Sequence, residues 1–293
     1  MAGSGKLARA LARAISENEH NGGGLRLSGI FARNKTAAAA VARNTGAPKY
    51  GQITDIRQLE GLLLLCVSDD ALPAVARQLA GIPAAGGALV AHLSGALDLS
   101  PLASLQQRGI ATGSLHPLQS FPEGAGPETF RGIYASLLGP PEATAQLHRL
   151  ASELGCTPLE VSAQQKKQLH IAAVFASNYM VALAHLAGRS VPGLALPVTE
   201  VLRPLMETTL QNIFAKGPTA ALTGPVSRGD TGTVETHLRT LTADPFLQDD
   251  TLPAAYRLLG RVAASQALSD GRLSPETYRE LLTLLSEPHG SAG

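Results

Sequence analysis

MAGSGKLARALARAI (residues 1–15) opens the chain and decides how the rest is read. Within it Gly3-Ser4-Gly5-Lys6-Leu7-Ala8 fits G-x-G-x-x-A, the turn that carries a buried strand into the first helix of a dinucleotide-binding fold. Glycine suits the first two positions because the turn is tight and the backbone must approach a pyrophosphate. A small third residue lets the helix pack on its strand. The helix start then offers unpaired N–H groups to the phosphates. Gly3, Ser4, Gly5, Lys6 and Leu7 are therefore the expected cofactor-binding residues; the alternative is a chance run of small residues at an N-terminus. Only Met1 and Ala2 precede the turn, so the first strand is expected to be missing.

Outward from this stretch the pattern alternates. Leu7 to Ile15 keeps helical spacing, and Glu17 to Gly24 supplies a polar break. LRLSGIF (25–31) reads as a strand and KTAAAAVARNTG (35–46) as a helix stopped by Gly46. LEGLLLLCVSDDALPAVARQLAGI (59–82) reads as a buried strand passing through Ser68-Asp69-Asp70 into a helix. GGALVAHLSG (86–95), RGIATGSLHPL (108–118), RGIYASLLG (131–139) and TPLEVS (157–162) complete the strands, with a helix over 141–155 before the last. This repetition predicts a mostly parallel, doubly wound α/β Rossmann-like domain with helices on both faces.

From Ala163 onward every segment reads as helix: a long apolar one over 164–188, then 201–217, 230–241, 252–268 and 274–287. The division is expected near Ser162, giving an α/β domain over 1–162 and an all-helical substrate and dimerisation domain over 163–293, with HGSAG (289–293) frayed.

Composition excludes several function classes. With 44% hydrophobic and 16% charged residues the chain has ample material for a core. Lys plus Arg number 24 against 23 Asp plus Glu, so no basic field exists to attract nucleic acid or anionic lipid. The expected partner is a small molecule. Cys66 and Cys156 lie far apart with no metal-ligand spacing, which points to free thiols, no metal and a reducing cytoplasm. No apolar run is read as long enough to span a bilayer, and no signal peptide is apparent.

The choice of nicotinamide cofactor is made at the end of the second strand, where NAD sites place an acid against the ribose 2′-hydroxyl. LRLSGIFARNKT (25–36) has none. Arg33, Asn34 and Lys35 suit a 2′-phosphate instead, so NADP is preferred over NAD; the alternative is a solvated helix start. Ser68 and Asp69 follow the third strand at its ligand-binding end, although an aspartate there can also cap the next helix. His92, Ser94, Gly95 and His116 stand at further strand ends, and His116 is placed near nicotinamide or substrate.

At 100° per residue, Lys166, His170 and Ser177 fall within a wedge of roughly 40° on the long helix, with Asn178 about 80° from His170. Polar groups on so apolar a helix need partners or a cleft. Hydride transfer to a carbonyl needs a donor for the developing alkoxide, which Lys166 or His170 supplies, while Ser177 or Asn178 positions the substrate. Structural packing roles are the alternative, as is pairing of Arg228 with Asp230 in TGPVSRGD (223–230) rather than with a substrate carboxylate. A non-catalytic NADP-binding module is the rival reading for the whole chain.

GSGKLARAL (3–11), LLLLCVSDDAL (62–72), VAHLSGALDLSPL (90–102), GSLHPLQSF (113–121), KKQLHIAAVFASNYMVAL (166–183) and ALTGPVSRGD (221–230) together resemble one family. It comprises Rossmann-like predicted oxidoreductases whose helical C-terminal domain is of unknown function. The resemblance implies NADP-dependent hydride transfer to a small carbonyl compound, plausibly a 2-oxo acid, in a cleft between two domains of a homodimer; some members are linked to ketopantoate reduction. The wider superfamily uses a Lys-x-x-x-Asn pair on its interdomain helix. Lys166 matches the lysine, but His170 stands where asparagine is expected, which puts the substrate in doubt. Relatives also carry an apolar strand before the glycine turn, implying a native start upstream of Met1.

Overall fold

The computed structural model describes residues 1–243 and 250–286. It divides into two compact units, Met1–Ser177 and Asn178–Gly293. The tail 289–293 lies outside the described residues.

The first unit is the expected α/β domain. Its helices and strands run α1 (Lys6–His20), β1 (Ile30–Ala32), α2 (Lys35–Thr45), β2 (Tyr50–Gln52), β3 (Leu62–Leu65), α3 (Leu72–Ala80), β4 (Leu89–His92), α4 (Ala103–Gln106), β5 (Ala111–Pro117), β6 (Tyr134–Leu138), α5 (Pro141–Glu153) and β7 (Thr157–Glu160). β3, β4 and β5 are parallel neighbours, β6 pairs antiparallel with β5, and β7 runs parallel to β6. β1 and β2 pair parallel to each other.

Ala2 joins these two groups, with parallel bridges to Phe31 on one side and Leu65 on the other. Its amide donates to Leu64 (2.8 Å), its carbonyl accepts from Cys66 (2.7 Å), and Gly3 donates to Phe31 (2.7 Å). No regular strand precedes α1; Met1 to Gly3 make only isolated bridges at that strand position, because two or three residues suffice for the bonds nearest the turn. The Met1 ammonium is buried and donates to the Gly29 carbonyl (2.8 Å). Burial lowers its pKa to about 6, opposed by the neighbouring Cys66. The strand expected over 25–31 shrinks to Ile30–Ala32, since only these residues lie opposite β2.

Strand alternation separates two cores. Leu64, Leu89 and Ala91 pack with α1, α2 and α5; Leu63, Leu65 and Val90 pack with α3 and α4. Helices therefore cover both faces of the sheet, as the near-continuous apolar strands require.

Ser162 opens α6 (Ala163–Ala173) with a capping box, its hydroxyl accepting from the Gln165 amide. A π turn over Val174–Asn178 leads into α7 (Tyr179–Arg189). The division between units falls in this turn, fifteen residues beyond the expected Ser162. By length and composition the run Ala163–Arg189 is long enough and apolar enough to cross a membrane, so the reading that no such run exists is corrected. Isolated polar residues such as Ser177 and Asn178 leave the mean hydropathy of the run high. One such helix is weak evidence for a span, since core helices of soluble proteins can be as long and as apolar.

The second unit is helical as expected: α8 (Val198–Val201), α9 (Arg203–Ala221), α10 (Thr231–Ala243), α11 (Thr251–Ser269) and α12 (Pro275–Leu284). α9 is broken at Gly217, whose φ of 78° precedes Pro218. Val234, Leu238, Ala264, Leu281 and Leu285 form its core.

Candidate functional site

The stub of the first strand delivers the glycine turn to the edge of a cavity of about 570 Å³ lined by Gly3, Ser4, Gly5, Arg33, Asn34 and Ser68, among others. Gly3 has φ 135°, and a Cβ there would collide with the Cys66 carbonyl oxygen, so only glycine fits. Gly5 differs. A Cβ on it would meet no atom within 4 Å, and it caps α1 without any side-chain bond or first-turn acid. The helix start is therefore an open set of N–H groups beside empty space, which suits a pyrophosphate. Ala8 is 1% exposed and packs as the third fingerprint residue should.

Cys66 also lines the cavity, but burial pushes its thiol up to about 12, so it stays protonated. Gln52 and Thr54, which sequence reasoning did not single out, line the cavity as well because β2 ends there. Of the residues expected at the second strand, Arg33 and Asn34 line the cavity while Lys35 is exposed at the start of α2. The Asn34 side chain accepts from the Thr36 and Ala37 amides, so it serves as the helix cap. Lys6 is exposed, and Leu7 packs against the core.

From Ser68 the next residue turns to a second cluster. Asp69 Oδ2 accepts from Ser94 Oγ (2.9 Å), and Ser94 Oγ also accepts from the Ala96 and Leu97 amides (3.2 Å each). His92 is fully buried; its Nδ1 accepts from the Ser94 amide (3.2 Å), so its Nε2 donates to the Asp98 carbonyl (2.9 Å). Burial lowers its pKa to about 4 against that bond. His116 Nδ1 lies 3.0 Å from the Leu93 carbonyl oxygen, and burial lowers its pKa to about 4 also.

α6 brings two of the expected catalytic residues to this cluster. Lys166 is 1% exposed, and its Nζ is buried with no hydrogen-bond partner. Burial lowers its pKa to about 8, with Asp69 opposing. His170 stacks edge to face with His116, ring centroids 6.3 Å apart, and its Nδ1 is likewise buried and unpartnered. The expected stripe ends there. Ser177 is exposed within the π turn, whose five-residue step breaks the 100° period on which the stripe was drawn, and Asn178 belongs to the second unit. In the other polar loop, Asp230 accepts from Thr233 at the start of α10 rather than forming an ion pair with Arg228 among the described contacts.

Chemically, the first unit holds a cradle with open N–H donors and a cation beside it, and next to that a buried lysine with two neutral imidazoles. Comparisons with known proteins match the order of the two domains. Residues 1–117 match the Rossmann-like domain family, and residues 133–263 match a domain of unknown function, DUF2520. A protein of Bacteroides fragilis, classed by inference as an NADP oxidoreductase, is similar at 25% identity over 90% of this chain and 96% of that one, with a TM-score of 0.73. A Thermotoga maritima protein is similar at 26% identity over 92% and 98%, with a TM-score of 0.67. An imine reductase from Myxococcus stipitatus, solved in complex with NADP+, shares the fold at 16% identity over 96% and 98%, with a TM-score of 0.58. A search of curated proteins found no match.

Proposed function

We propose that this chain, a Rossmann-like domain joined to a DUF2520 domain, is an NADP-dependent oxidoreductase that transfers a hydride between nicotinamide and a small carbonyl compound. The observation that carries the reading is the Gly5 cradle: a helix start with open N–H groups, space for a pyrophosphate, and Arg33 at its edge in place of the acid that NAD requires. The similarity to the Bacteroides fragilis protein classed by inference as an NADP oxidoreductase supports it.

Gly3, Ser4 and Gly5 would hold the pyrophosphate, and Arg33 would pair with the 2′-phosphate. Bound nicotinamide supplies the hydride. Lys166 supplies the proton: buried without a partner and with its pKa lowered by burial to about 8, its ammonium is held ready for a developing alkoxide. Asp69 keeps part of the lysine population charged and is itself held by Ser94.

A 2-oxo acid substrate, ketopantoate among them, remains our finer assignment, as does a homodimer. For the dimer, Val181, Leu183, Phe214, Leu258 and Val262 of the helical unit are exposed apolar side chains, the kind of surface that an interface covers. Light scattering in detergent-free buffer tests this, with two chain masses expected and one chain mass refuting it. NADPH oxidation with ketopantoate tests the reaction. Turnover that Lys166→Met abolishes supports it, and tight NADPH binding without turnover of any 2-oxo acid favours a non-catalytic module.

A further inference from the structure

Arg9 ties two distant parts of the first unit together. It lies one turn into α1, and its side chain runs back toward the helix start, as long helical side chains do. Its Nε donates to the Ser4 carbonyl (3.0 Å), and its Nη1 donates to Glu123 Oε1 (2.7 Å). Ser4 lines the cofactor cavity, so this guanidinium is one hydrogen bond away from the phosphate turn. Glu123 belongs to the loop that follows β5, which Arg13 also holds through the Gly124 and Ala125 carbonyls (3.2 and 3.4 Å).

Stability alone does not account for the pair. Both side chains are exposed, and ion pairs so exposed contribute little to folding. The two Arg13 contacts hold the same loop without it. The first turn of α1 carries no acid of its own, so Glu123 is a carboxylate brought to the helix start from 114 residues away. Two of the five N–H groups of the guanidinium are used among the described contacts, and three remain for an anion.

We propose that Arg9 is a pyrophosphate-binding residue of the cofactor site and that Glu123 is its counter-ion in the cofactor-free protein, displaced when the pyrophosphate arrives. A pyrophosphate carries the same sign of charge as the carboxylate and more oxygens, so Arg9 exchanges one charge-assisted pair for another while its Nε stays on Ser4. Glu123 competes for Arg9 and thereby sets how tightly the cofactor binds. NADPH and NADH share the pyrophosphate, so the pair governs affinity for both and leaves the choice between them to Arg33. The inference rests on the cofactor reading of the glycine turn and adds to it two residues that the fingerprint spacing does not include.

The test is a fluorescence titration at low ionic strength, with NADPH and with NADH, of wild type, Arg9→Met, Glu123→Gln and the double variant. Glu123→Gln keeps the shape and an acceptor for Arg9 but not the charge, and should bind both cofactors about threefold more tightly or better. Arg9→Met should bind both about tenfold more weakly with the preference for NADPH unchanged. In the double variant the gain from Glu123→Gln should vanish, because Glu123 acts through Arg9. A purely structural ion pair gives a different pattern, in which Glu123→Gln weakens binding or leaves it unchanged. Should Arg9→Met fail to fold, the exposed and isosteric Glu123→Gln carries the test by itself. Weaker or unchanged binding by Glu123→Gln, unchanged binding by Arg9→Met, a loss confined to NADPH, or a gain that persists without Arg9 overturns the proposal. Wild type that binds neither cofactor defeats the glycine-turn reading itself, whereas wild-type binding with no response in either variant defeats only the Arg9 pair.

Discussion

Lys166 and Lys167 are adjacent on α6 and meet opposite environments. Lys167 Nζ lies 3.1 Å from Asp98 Oδ2 in a part-exposed ion pair, whereas Lys166 is buried with its Nζ unpartnered. Exposed pairs contribute less than about 1 kcal/mol. A buried ammonium without a partner opposes folding, and its retention is what a functional role predicts.

Lys166→Met should therefore lower the rate of carbonyl reduction by about a hundredfold or more, leave the NADPH dissociation constant unchanged, and raise stability at pH 7. The folded pKa of about 8 lies below the ordinary 10.5, so the unfolded chain binds more protons between these values. Stability of the wild type should rise as pH climbs from 8 to 10.5, and that rise should vanish in the variant. Urea unfolding at pH 7 and pH 10 measures both. The same ionisation predicts that kcat/KM for reduction falls as pH passes about 8.

Acid should destabilise the first unit through its imidazoles. His92 and His116 are held near 4, below the ordinary 6.5, because burial disfavours their charged forms. The unfolded chain then takes up more protons as pH falls from 6.5 to 4, and stability drops over that window. Unfolding midpoints at pH 7 and pH 5 check it; a flat profile would contradict neutral buried rings.

The two glycines of the turn should separate stability from binding. Gly3→Ala drives a Cβ into the Cys66 carbonyl and demands a backbone angle that alanine resists, so a loss of more than about 2 kcal/mol is expected. Gly5→Val meets open space. It should unfold at the wild-type temperature yet bind NADPH at least about tenfold more weakly, because its side chain enters the pyrophosphate position.

Asn34 and Arg33 should also part company. Asn34→Ala removes a cap that accepts from two amides, so about 1 kcal/mol of stability should go, with little change in cofactor preference. Thermal unfolding and parallel NADPH titrations distinguish these effects.

Much of this was legible in the chain. The helical domain announced itself through sustained apolar period, Gly46 through its position as a helix stop, and the glycine turn through its spacing. What escaped depended on through-space contacts. Ala2 completes a strand position because Phe31 and Leu65 flank it, although two residues carry no strand signal of their own. Ser177 was drawn onto the catalytic stripe by assuming 100° per residue, and a π turn that no local residue announces breaks that phase. His116 could be named from its strand end, but its hydrogen is fixed by a backbone carbonyl 23 residues away.

The most direct test of the central claim is a fluorescence titration of wild type and Arg33→Ala with NADPH and with NADH. The account predicts that wild type binds NADPH at least about tenfold more tightly than NADH, and that Arg33→Ala loses most of that preference while its NADH affinity stays unchanged. Equal affinity of the wild type for both cofactors, or binding of neither, would contradict it.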